Sequence, residues 1–201
     1  ASVQAYQEAI TLAPTQDFYY LFLGRVYLEL AKSSNQPKLV PPLNIDLDFV
    51  KSAQPGTLQR LGREDLLEAS RVALEEAYKL APLNTDHTAN LARLYRFWGA
   101  TNTSKLELAT RYYSAAVRIS PQAAHLWDEW AEVYLSTGQF DKALERLEIA
   151  RRLDEQFPLT YLYLGDTYIG MRRPNEALDA HAQVLKLNPG MLSDQRLEHR
   201  I

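Results

Sequence analysis

The 201-residue chain contains no cysteine, which removes disulfides, thiolate metal ligands and thiol catalysis together while leaving the redox compartment open. Nor does any window approach the ~18 uninterrupted apolar residues of a membrane span, and no signal segment opens the chain. By itself it reads as a soluble stretch of unassigned localisation. Charge of one sign is missing too: 10 Lys/Arg stand against 11 Asp/Glu up to residue 100, and 12 against 14 beyond it. This is a poor match to the one-sided basic footprint of a nucleic-acid binder, so no nucleic-acid partner is expected.

Motifs for catalysis are equally scarce. There is no glycine-rich phosphate loop, no GxSxG and no HExxH. His87, His125, His181 and His199 form no pair at ligand spacing. We therefore expect no metal site, no cofactor and no catalytic residue, and read the chain as not an enzyme, although a longer parent could be one. The acidic cluster Asp128, Glu129 and Glu132 has no sequence-visible apolar pocket to raise a pKa and is expected to face water. Asn102-Thr103-Ser104 is a formal glycosylation triplet of the kind that arises by chance.

What the chain does have is a repeat. SPQAAHLWDEWAEVYLSTGQFDKALERLEIARRL and FPLTYLYLGDTYIGMRRPNEALDAHAQVLKLNP align without a gap at a spacing of 34 residues. Trp127 matches Tyr161, Tyr134 matches Tyr168 and Ala143 matches Ala177. Apolar positions three and four apart make two amphipathic helices per unit, and neither can bury its apolar face alone. Ala143 and Ala177 sit where the two helices must approach closely, so Leu at either should overpack by about 1–3 kcal/mol.

A 34-residue unit with this aromatic, tyrosine, alanine and closing proline resembles the tetratricopeptide repeat (TPR) family. The resemblance implies an all-α fold, a right-handed superhelix of antiparallel helix pairs, here with one long insertion. A single domain over 1–201 is expected: a second helix at 2–16, repeats at 17–84, 85–123, 124–157 and 158–191, and the start of a further or capping helix at 192–201. Ala1 in place of methionine and the half-repeats at both ends read as a piece cut from a longer protein.

The family implies a protein-interaction or scaffolding role, with a peptide or protein segment bound on the concave face built from first helices. Carrying that face over gives Phe18, Leu21, Phe22 and Arg25, then Asn90, Arg93, Arg96 and Phe97. The later repeats add His125, Asp128, Glu129 and Glu132, then Leu159, Leu162, Tyr163 and Asp166. The lysine and asparagine set that clamps a terminal carboxylate in some members is not reproduced; Asn90 and the arginines only hint at it.

One stretch departs from helix. Residues 37–50, PKLVPPLNIDLDFV, carry three prolines and then alternate Leu43, Ile45, Leu47 and Phe49 with polar residues. They fall in an insertion at about 33–62, which separates the first helix of its repeat from a second helix expected at about 64–82. Prolines inside a helix cost ~3 kcal/mol, which excludes a hidden extra repeat there. Extended, the stretch would span about 46 Å. It is expected to fold back on the array through those four apolar residues, with part of the chain's own groove as one place for it to lie. The insertion, FYYLFLGRVYLEL and PLNTDHTANLARLYRFW together are also similar to the soluble repeat tail of bacterial O-antigen polymerase- or ligase-type membrane proteins. That resemblance implies the alternative of an accessory domain beside a glycan transferase, with a glycan as a possible partner for Trp98, Trp127 or Trp130.

Overall fold

The structure is a computed structural model; it describes residues 2–36 and 43–190, so residues 37–42 and 191–201, with the expected capping helix at 192–201, lie outside the described residues. Every regular element among the described residues is a helix. The chain forms two compact units, residues 1–115 and 116–201.

In the first unit, α1 (Val3–Leu12), α2 (Asp17–Ser33), α5 (Arg63–Leu80) and α6 (Thr85–Gly99) make the frame. The broken repeat is rejoined in space, because α2 packs along α5 although the insertion separates them in sequence. Gly24 permits the approach: a Cβ there would lie 2.6 Å from Leu74 Cγ. The Ser70 hydroxyl donates to the Gly24 carbonyl at 2.8 Å across the same contact. The start of α5 is fixed by the Gly62 N–H, which donates to the buried Asp65 carboxylate at 3.0 Å. Tyr20, Leu23, Tyr27, Leu67, Leu74, Leu91 and Leu94 form the core, each at most 1% exposed.

The alternating stretch is not extended throughout. Asp46 caps a short helix, α3 (Leu47–Ser52), by accepting from the Phe49 N–H at 2.9 Å, and α4 (Pro55–Leu58) follows. Helical turning then replaces the two-residue period. Ile45 is buried, Leu47 and Phe49 are half-buried and Leu43 is exposed. The deepest residue is Val50, which the alternation left out. Helix α3 packs on α1 and α5, and the side chains that receive the segment are Gln7, Tyr20 and Tyr27.

In the second unit, α8 (Ala124–Ser136) pairs with α9 (Phe140–Leu153), and α10 (Pro158–Gly170) with α11 (Pro174–Leu187). The turns use left-handed backbone at Gly138 and Arg172, a conformation open to glycine and costly for arginine. Ala143 and Ala177 are buried as the close approach requires, at 0% and 4% exposure. Helix α7 (Lys105–Ile119) spans the limit between the two units.

Candidate binding faces

In the first unit the first-helix face is formed by α2 and α6, which are in contact. A buried link joins their N-terminal ends: His87 Nε2 lies 2.5 Å from Asp17 Oδ2, with the imidazole fully buried. The hydrogen bond to His87 holds the Asp17 carboxyl below its ordinary value, against the opposing cost of burial.

Along α2, Phe18 and Phe22 are 41% and 38% exposed, on a helix whose Leu21, Leu23 and Leu28 are buried. Tyr6 of α1 stacks on Phe22 at 5.9 Å between centroids, and the Arg25 guanidinium lies 5.7 Å from the same ring. Arg25 is exposed and has no ion-pair partner among the described residues. The result is an aromatic shelf with a cation one turn along.

The other expected residues of this unit behave differently. Leu21 is buried between helices. The Asn90 amide donates to its own helix's Asp86 carbonyl at 2.7 Å, so the residue that hinted at a carboxylate clamp has committed a donor. Phe97 lies beneath two cations, Lys32 at 5.9 Å and Arg63 at 4.7 Å. Arg93 and Arg96 are half-buried and already engaged by other groups.

In the second unit the matching face joins α8 to α10. The Thr160 hydroxyl donates to Asp128 Oδ2 at 2.8 Å and the Tyr163 hydroxyl to Glu132 at 3.0 Å. Asp128 is only 1% exposed, which corrects the expectation that the acidic cluster faces water; Glu129 and Glu132 are half-buried. Its repeat position explains this, for 34 residues later stands Leu162, also 1% exposed. Burial raises the Asp128 pKa to about 7, opposed by the Thr160 hydrogen bond and reinforced by Glu129 and Asp154. Leu159, Tyr163 and Asp166 are half-buried, and His125 is exposed. Sequence reasoning missed the Asp17–His87 link, whose partners stand 70 residues apart with no local mark.

Among the described residues no cluster of His, Cys, Asp or Glu could hold a metal ion, and no helix is long and apolar enough to cross a membrane. No protein-family model and no curated protein matches the chain. Solved structures do. A MamA protein is similar with a TM-score of 0.65 and 16% identity, over 96% of this chain and 84% of that one. TTC0263, a thermophilic TPR protein in Thermus thermophilus, gives 0.68 and 20%, over 98% and 86%. YrrB, described as a TPR protein with an unusual peptide-binding site, gives 0.56 and 14%, over 98% of each chain. At such identities the likeness speaks for architecture, and with the helix pairing above it makes this an all-α fold of the tetratricopeptide-repeat type.

Proposed function

We propose that the chain is a protein-interaction module that takes a peptide or protein segment on the first-helix face of residues 1–115. The observation that carries this is the shelf of Phe18 and Phe22. Two aromatic rings left about two-fifths exposed side by side, with Arg25 beside them, suit an apolar side chain flanked by a carboxylate. The arrangement offers binding chemistry and no nucleophile or base set, in keeping with a scaffold.

A glycan is a weaker partner. Trp98 and Trp130 are buried, at 5% and 7% exposure, and the Trp127 indole N–H is bonded to the Pro121 carbonyl. No observation of its own favours the accessory-domain alternative.

The test is selection of peptides against the full chain, followed by titration of Phe18→Ser/Phe22→Ser. We expect at least a tenfold loss of affinity measured well below the variant's thermal midpoint, where circular dichroism shows it folded; some loss of midpoint accompanies it, because each ring is about three-fifths buried and Tyr6 stacks on Phe22. Selected peptides that bind the double variant as tightly as the parent would sink the reading.

A further inference from the structure

The two units present the same groove, once filled and once open. Tyr20 and Tyr27 of α2 bracket Leu23-Gly24, as Tyr161 and Tyr168 of α10 bracket Leu164-Gly165. Tyr20 donates its hydroxyl to the Pro14 carbonyl at 3.0 Å, and Tyr161 to the Glu155 carbonyl at 3.1 Å, each six residues back. On this alignment Gln7 of α1 matches Glu148 of α9. Likewise α5, which sets Leu74 against Gly24, matches α11, which sets His181 against Gly165.

Between α1 and α5 the groove is occupied by the chain itself. Val50 is fully buried there, and the Gln7 amide donates to the carbonyls of Val50 and Ala53 at 3.0 and 3.3 Å. Lys51 lies 5.9 Å from the Tyr20 ring. Beneath this cover Tyr20 and Tyr27 are 1% and 0% exposed.

Between α9 and α11 there is instead a cleft of about 250 Å³, with Tyr161 and Tyr168 half-exposed in it. Its walls carry Glu148, Glu176 and Asp179 against Arg151. Glu148 is paired with Arg151 and Glu176 with Arg173, whereas Asp179 has no ion-pair partner among the described residues. Burial is the main cause that pushes the Tyr168 hydroxyl up, with Glu148 and Glu176 adding to it and Arg173 and Arg151 opposing.

We propose that the groove between α9 and α11 is a docking site for a short apolar segment of a partner protein that carries a basic side chain, in the place that residues 45–53 fill between α1 and α5. The apolar residue takes the position of Val50 between the second helices. The cation lies over Tyr161, as Lys51 lies over Tyr20, and faces Asp179. The insertion of a second copy is the poorer match, because Asp46 and Asp48 outnumber Lys51.

The experiment titrates the full chain with two labelled peptides, residues 43–53 and the same sequence with Asp46→Ser and Asp48→Lys, and locates binding by hydrogen exchange. The basic peptide is expected to bind at least tenfold more tightly and to protect amides of α9 and α11. Asp179→Lys should weaken it at least fivefold, while Gln7→Ala and the Phe18/Phe22 variant leave it unchanged. No binding by the basic peptide, protection confined to α1 and α5, or equal or tighter binding of the acidic peptide would each overturn the proposal, the last in favour of self-association.

Discussion

Each unit ties consecutive first helices together with an aspartate, and the two aspartates titrate in opposite directions. Asp17 sits at the start of α2 with a quarter of its side chain exposed and an imidazole as partner, and its pKa falls. Asp128 occupies a position where its repeat neighbour is leucine, has only a hydroxyl as partner, and its pKa rises to about 7. Partner and depth, not residue type, decide which protonation state the fold favours.

The largest test of this contrast is pH. Between about pH 4 and pH 7 the folded second unit keeps a proton on Asp128 that the unfolded chain has released. The contribution of Asp128 is therefore fullest below pH 4 and lost as pH rises towards 7, by on the order of 4 kcal/mol. Hydrogen exchange of α8 and α10 amides should show the loss, and Asp128→Leu should abolish it. For Asp17 the sign reverses: its folded pKa is depressed, so its share is present above the ordinary carboxylate range and lost as pH falls through the folded value. Acid should thus loosen α2 from α6 while α8 and α10 tighten.

A smaller effect is expected from His87→Ala, which removes a fully buried ring and strands Asp17. It should cost about 1–3 kcal/mol by chemical denaturation and erase the acid response of the first unit alone. Smallest should be Tyr163→Phe, which removes a half-buried bond to Glu132 and should cost about 0.5 kcal/mol in the second unit. A cost above about 2 kcal/mol would mean that the tyrosine, rather than the aspartate, carries the α8–α10 link.

The helix pairs were legible because 34-residue periodicity and small residues at crossing points are local marks. The helix that follows the insertion runs Arg63–Leu80. The insertion misled because Leu43, Ile45, Leu47 and Phe49 satisfy a two-residue period, while Leu47, Val50 and Asp46 before them satisfy a capped helical turn equally well. Only Gln7 and the tyrosines, distant in sequence, decide between them. The depth of Asp128 was readable from Leu162 one repeat on. Phe18 and Phe22, expected on the first-helix face, are among the more exposed of its residues in the first unit, whereas the engagement of Asn90 and Phe97 with other groups depends on contacts that no spacing encodes.

One bond in the first unit closes the insertion upon itself: the Arg63 N–H donates to the Gln36 carbonyl at 3.2 Å. The two strands of chain that leave α2 and arrive at α5 are thereby stapled side by side, so everything between them is a cassette. Added length costs little, since loop-closure cost grows only with the logarithm of length, provided that Val50 and Ala53 keep their places on Gln7. Another peptide spliced in place of residues 45–53 would have the groove between α1 and α5, which that segment now fills, as its landing place.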